Sequence, residues 1–560
     1  MMRNKNTFFQ AMLGVVIILG LGLTACQPII PGTAPTAMPT ARAEADFAPM
    51  VVQASNCDYG GEFKSIEAID KYTVRFTLCK ADPAFLSKVA FAIFSIQDKE
   101  FLDANQGSSV SMSENPNGTG PYRVKQYIRG EQLVLEANPD YWGVPSKAKT
   151  IIFKWSQEPS QRLLELRSGA VDGIDNPSAD DFATIQSDTS LKLYNRQALN
   201  IFYIGLNNTI PPFNNESVRQ AFAQAIDRQR IVEDFYPAGS TVAEQFVPPA
   251  LTPGYTDNLS WYNFNPTQAR QLLDAANFDY NQEITLSLRD VSRIYLQNPT
   301  QVAQDIQAQL ADIGVKVRIN VMDSAAFLDS VAAGNEAMFL LGWSADYPDA
   351  TNFYDFHFTG ASKNFGQPFA DLESEIRLAG ATTDATIRSE HYAKVNEMIK
   401  KHVPMIPVAH AASSAAFKAT IQNVTIGPLN ENFEEMSSYN DQIIFVQNAE
   451  PISLWPGDET DGETIRPALL IYSTLARYRP GGVEIIPDLA EKWDTNSDLT
   501  QWTFTLRREV RFTNGAALDA NDVVATFAAQ WDARSPNHTG NSGAFEYFQG
   551  FFGNYINAGQ

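Results

Sequence analysis

The stretch Val302-Ala303-Gln304-Asp305-Ile306-Gln307-Ala308-Gln309-Leu310-Ala311-Asp312-Ile313-Gly314-Val315-Lys316-Val317-Arg318-Ile319-Asn320-Val321 changes its period halfway. Val302, Ile306, Leu310 and Ile313 recur at helical spacing, and Gly314 suits the position just past a helix C-terminus. From Val315 onward the apolar residues Val315, Val317, Ile319 and Val321 alternate with Lys316, Arg318 and Asn320, as on a strand. A helix running directly into a strand is an α/β unit. Outward from it, Val218, Ala221, Phe222, Ala225 and Ile226 form a second apolar helical face, introduced by Asn215-Glu216-Ser217 as an N-cap region. Residues 503–506 and 151–155 read as strands, and 62–69 with 72–78 as a hairpin around Asp70-Lys71.

At 560 residues the chain exceeds one hydrophobic core, so two or more lobes are expected. A formal charge of −22 argues against a nucleic-acid partner, because phosphate binding needs clustered Lys and Arg. Arg3 and Lys5 precede the apolar run 11–23, which has the length of a secretory h-region and is short for a membrane span. Leu23-Thr24-Ala25-Cys26 follows and looks like a bacterial lipobox, which implies that Cys26 is acylated and anchors the chain to a membrane. Residues 1–26 are then a lipoprotein signal, and 27–55, rich in Pro, Thr and Ala, a disordered tether. Folded sequence is expected from about Cys57. An exported chain meets oxidising conditions, and Cys57 and Cys79, an even count once Cys26 is lipidated, suit one disulfide; two separate thiols are the alternative.

Further segments carry a family resemblance. Gly118-Thr119-Gly120-Pro121-Tyr122, Val218-Arg219-Gln220-Ala221 through Asp227-Arg228, and Gly342-Trp343-Ser344-Ala345-Asp346-Tyr347-Pro348-Asp349 come first. Ala449-Glu450-Pro451-Ile452-Ser453-Leu454, Pro487-Asp488-Leu489-Ala490-Glu491-Lys492-Trp493 and Phe512-Thr513-Asn514-Gly515 come last. Together they resemble the family 5 extracellular solute-binding proteins, the dipeptide, oligopeptide and nickel receptors of ABC importers. Reading 438–560 and then 56–437 restores that family's usual order, so the chain looks circularly permuted. The resemblance implies an α/β, two-lobed periplasmic-binding-protein type II fold with an appended subdomain. Lobe I would comprise 110–200 plus 410–484, the subdomain 56–109 plus 485–560, and lobe II 201–409. The lobe crossings would fall near Tyr203-Ile204-Gly205-Leu206-Asn207 and Ile406-Pro407-Val408-Ala409.

The resemblance also assigns a site. Asp346, in the Ala-Asp-Tyr string, would pair with a peptide's amino terminus, with Trp343 as an aromatic wall and Tyr347 beside it. Composition alone makes Asp346 a turn residue before Pro348. Glu450, Pro451, Ile452, Ser453 and Leu454 would form an edge that pairs with a bound peptide through main-chain groups. Asp349 reads as a solvated turn residue, Gly118, Gly120 and Pro121 as turn-forming, and Arg219 and Asp227 as structural residues around a helix.

No catalytic residue, metal site or cofactor is expected. The chain lacks Gly-x-Ser-x-Gly, Walker A, Rossmann and His-Glu-x-x-His strings, and its five histidines show no metal-ligand spacing. The function implied is a non-enzymatic, monomeric, lipid-anchored extracytoplasmic receptor that passes short peptides to the transmembrane subunits of an ABC permease. An oligosaccharide or nickel chelate as ligand, and a surface hydrolase or chaperone on the same scaffold, stay open as alternatives.

Overall fold

A computed structural model describes residues 47–360 and 362–558. The signal, Cys26 and most of the tether lie outside the described residues. Among the described residues no helix is long and apolar enough to cross a membrane.

Three large sheets organise the described residues; the five- and seven-stranded ones each join distant segments of the chain, whereas the six-stranded one is drawn from 200–410 alone. A five-stranded sheet has the order Val51–Gln53, Phe63–Asp70, Thr73–Leu78, Gln501–Leu506, Ala490–Thr495, with every neighbour antiparallel. Alternation in 73–78 and 501–506 puts Val74, Phe76, Leu78, Trp502, Phe504 and Leu506 on one buried face. Helix Ala520–Trp531 covers that face, started by a capping box in which Asp519 and Asp522 each bond the other's backbone. Its Phe527 lies 5.0 Å from Phe76 and stacks on Phe94 at 5.5 Å. Helix Glu546–Phe552 packs into the same core, with Phe552 at 4.6 Å from Phe63 and its carbonyl accepting from the Glu62 N–H at 2.7 Å. Residues 490–506 therefore find their partner strands at the opposite end of the sequence.

Folded structure begins earlier than Cys57. Val51–Gln53 adds an edge strand along Ser65–Glu67, and Phe47 and Met50 pack on the same core. The β-branched pair Val51-Val52 suits a strand, so the end of the expected tether is ordered. Cys57 and Cys79 are joined by a disulfide with Cα atoms 5.5 Å apart, bracing the first hairpin.

The seven-stranded sheet runs Tyr122–Ile128, Gln132–Ala137, Thr150–Trp155, Gln442–Gln447, Gly173–Asp175, Ser413–Lys418, Leu191–Arg196. Gln442–Gln447 sits at its centre, parallel to strands on both sides. The six-stranded sheet runs Thr241–Val242, Met405–His410, Asn200–Leu206, Met338–Ser344, Glu283–Arg289, Lys316–Met322. Helix Pro299–Asp312 feeds the last of these through Gly314, whose φ of +82° only glycine adopts freely.

Two expectations about connections are corrected here. Tyr203–Asn207 and Ile406–Ala409 are not crossings, because both lie largely in paired strands of the six-stranded sheet. The chain passes between the seven- and six-stranded sheets at 197–199 and 411–412 instead. There the Asn200 side chain exchanges two 2.9 Å bonds with the Ala411 backbone, and His410 Nδ1 lies 2.7 Å from the Asn200 carbonyl oxygen. Gly118 and Gly120 are needed for close approach rather than for a turn. A Cβ would fall 2.0 Å from the Ile471 oxygen at Gly118, and 2.4 Å from the Leu470 oxygen at Gly120.

Candidate functional site

Strand Met338–Ser344 ends at the carboxyl edge of its sheet and passes through Asp346 into helix Thr351–Phe358. Crevices at such edges are where α/β sheets bind ligands. Asn352, in the first turn of that helix, gathers the segment. Its side-chain oxygen accepts from the Trp343 indole N–H at 3.0 Å and from the Asp346 N–H at 3.1 Å. Its amide donates to the Asp346 carboxylate at 3.2 Å. The second partner of that carboxylate is the Tyr547 hydroxyl, from the helix packed on the five-stranded sheet. Burial pushes the Asp346 carboxyl up to about 6, and the Asn352 and Tyr547 bonds only partly offset this. Asp346 thus bridges two parts of the molecule, yet its hydrogen-bond partners are both neutral.

Trp343 stacks on Phe356 at 5.5 Å with an 18° interplanar angle. Tyr347 points the other way, into the core of the five-stranded sheet. It meets Phe551 edge-on at 4.8 Å and has the Lys88 ammonium 5.9 Å above its ring. Lys88 is itself buried, 2.7 Å from Asp82 and 3.3 Å from Glu62. Burial and the nearby Asp82 charge push the Glu62 carboxyl up to about 8.

Asp349 is not a solvated turn residue. Arg388 grips it as a fork at 2.7 and 3.0 Å, and it accepts from the N–H and hydroxyl of Thr351 at 3.0 Å each. This pair anchors the start of the helix that carries Asn352, so Asp349 acts by positioning.

Residues 450–454 do not form a strand; the strand stops at Gln447. Several of their main-chain groups already have partners. The Ile452 N–H donates to Thr464 Oγ1 at 3.1 Å and the Leu454 N–H to Ser113 Oγ at 3.0 Å. The Pro451 carbonyl accepts from Tyr127 at 2.9 Å and from Arg129 at 3.1 Å. Ser453 Oγ lies within 2.9 Å of both Ser109 and Ser113 hydroxyls. Glu450 accepts from Tyr127 and from the Gly130 N–H, both at 3.0 Å. The side chain of Ile452 is 58% exposed.

Beneath this loop lies a buried ion network that the sequence reading missed. Arg466 contacts Asp175 at 2.7 Å, Glu431 at 3.0 Å and Glu463 at 2.8 Å, while Arg196 contacts Asp175 at 2.6 Å and also Glu431. Burial alone would raise the Asp175 carboxyl, but Arg196 and Arg466 outweigh it and hold it at about 2. Asn448 donates to Glu463 at 2.9 Å, tying the loop to the network. No local pattern signals these residues, which come from four separate segments.

Arg293, which the sequence did not single out, comes to the same edge as Asp346. It lies on the loop after Glu283–Arg289, the parallel neighbour of Met338–Ser344, so both loops leave the same sheet edge. Tyr295 holds that loop against the second strand, where a Cβ on Gly342 would fall 2.3 Å from its ring. Arg293 is exposed, and its guanidinium has no partner among the described residues.

Mixed sheets of this kind, meeting where one sheet's carboxyl edge touches a neighbouring part, define the class: a periplasmic binding protein of the type II fold. The family described as bacterial extracellular solute-binding proteins, family 5 Middle, matches residues 34–365 and 484–548, and the chain belongs to it. It is 28% identical to a dipeptide-binding protein of Escherichia coli (strain K12) over 383 residues, 66% of this chain and 71% of that one. It is 30% identical to di/tripeptide-binding protein 1 of Pseudomonas aeruginosa (strain UCBPP-PA14) over 381 residues, with the same coverage. The solved structure of HbpA2 from Haemophilus parasuis is similar with a TM-score of 0.63 and 31% identity, covering 67% of this chain and 76% of that one.

Proposed function

We propose that this solute-binding protein is the lipid-anchored, extracytoplasmic receptor of an ABC importer, and that it captures short peptides between two lobes without catalysing a reaction. One observation carries the reading. Asp346 lies where the strand edge of one lobe meets the helix of the other, with neutral partners in Asn352 and Tyr547. A peptide ammonium supplies the positive charge that this carboxylate lacks. Relatives named for dipeptide and tripeptide binding support the same ligand class. Arg293, on the same sheet edge, is the candidate counter-charge for the peptide carboxylate.

In this reading lobe II is 201–409, lobe I is 110–200 with 410–484, and 56–109 with 485–560 form the subdomain. Ligand contact with both sides shifts an open–closed population about the crossings at 197–199 and 411–412. We read the order of segments as a circular permutation. The central placing of Gln442–Gln447 and the pairing of Gln501–Leu506 with Thr73–Leu78 support it. So does the bridge between Gly61 and Gly553. Cys26 supplies the lipid anchor, and the chain acts as a monomer.

Calorimetry with a short peptide and its N-acetylated form tests the reading. Free peptide should bind and acetylated peptide should not. Asp346→Asn should lose about 2–5 kcal/mol, roughly 30- to several-thousand-fold in affinity, for the free form. Equal binding of both forms by the wild type would remove Asp346 as the amine anchor and favour a non-peptide solute.

A further inference from the structure

The charges around Asp346 do not balance, and the imbalance points to a ligand property. Asp355 stands one residue before Phe356 on helix Thr351–Phe358, and three residues after Asn352, which holds Asp346. Residues three apart on a helix are surface neighbours, with Cβ atoms about 5–6 Å apart. Asp355 also lies one turn beyond Thr351, whose hydroxyl is 3.2 Å from that of Tyr347 beneath Lys88. It therefore faces the same crevice between the two parts. The residue is exposed, and its carboxylate has no hydrogen bond or ion pair among the described residues. Lys88 attracts it from across the crevice but is already held by Asp82 and Glu62. Although the residue is exposed, desolvation where the crevice walls approach its carboxyl, with the Asp349 and Asp82 charges, pushes that carboxyl up to about 7. Next to it Phe356, 43% exposed, presents a ring stacked on Trp343.

We propose that Asp355 and the Trp343–Phe356 ring pair form a second cation subsite, selecting peptides that carry a basic side chain on their amino-terminal residue. The proposal rests on the peptide reading above. Asp346 takes the α-ammonium. The aliphatic stem of a lysine or arginine lies along Phe356, its charge attracted by the ring faces and neutralised by Asp355. One ligand of charge +2 at this end then matches two carboxylates that lack cationic partners of their own. A neutral side chain of the same length gains the ring contact but leaves Asp355 without a partner.

Calorimetry with lysyl-dialanine and norleucyl-dialanine separates the possibilities, since the two differ in little but the charge. Wild type should bind the lysyl peptide at least tenfold more tightly. Asp355→Asn, at an exposed position free of partners, should fold normally, keep its affinity for the norleucyl peptide and lose most of the preference. Equal affinity of the wild type for both peptides would overturn the subsite and leave the peptide reading standing. A preference that survives Asp355→Asn would overturn Asp355 as the counter-ion. Failure of both peptides to bind would overturn the peptide reading, and the subsite with it.

Discussion

Arg466→Met should destabilise the protein more than any exposed substitution, and with a distinctive pH dependence. The guanidinium makes three contacts of 2.7, 3.0 and 2.8 Å with carboxylates whose side chains are only 2%, 4% and 13% exposed. At an effective dielectric near 20, each such pair attracts by about 4 kcal/mol, most of which offsets the desolvation of the charges. Removing one partner leaves that desolvation uncompensated, which typically costs about 3–5 kcal/mol. Arg196 stays with Asp175 and Glu431, but one guanidinium cannot neutralise three acids. In the wild type Asp175 is held at about 2, below its unfolded value, so its contribution is present above that value and is lost only as pH falls toward 2. Without Arg466 the acids rise above their unfolded values. They then destabilise the fold at high pH and are relieved as pH falls through those raised values. Urea unfolding at pH 8 and pH 5 should therefore show a gap of about 3–5 kcal/mol between wild type and variant that narrows at pH 5. A loss under about 1 kcal/mol, or a gap that widens on acidification, would show that the network is not held by Arg466 in this way.

Reduction of the Cys57–Cys79 bond, or Cys57→Ser with Cys79→Ser, should cost about 3 kcal/mol through the freed loop of sequence separation 22; unchanged thermal unfolding with and without reductant would count against it. Affinity for a peptide with neutral side chains should fall toward about tenfold per pH unit well below about 6, where Asp346 takes up a proton that a bound ammonium must displace, and should change by only about twofold from 6 to 7. Calorimetry across pH 4.5–7 checks this, and a flat profile would mean that the ammonium lies elsewhere.

Some of this protein could be read from its residues in order. The period change at Gly314 gives helix Pro299–Asp312 and strand Lys316–Met322, because amphipathic spacing and a left-handed glycine act within a few residues. Asp70-Lys71 gives the hairpin of Phe63–Asp70 and Thr73–Leu78 in the same way. The family strings marked the neighbourhood of Asp346. What only tertiary structure decided is which groups already have partners. Asp349 looked like a turn residue because Arg388 stands 39 residues away, and 450–454 looked like a free edge because Ser113 and Thr464 are not local. The network of Asp175, Arg196, Glu431 and Arg466 joins side chains up to 291 residues apart. Asp346 has only neutral hydrogen-bond partners and the Asp355 carboxylate has none among the described residues, and that follows from how distant segments meet. Propensity and turn chemistry are nearest-neighbour properties, whereas charge pairing and desolvation depend on the surroundings that the completed fold creates.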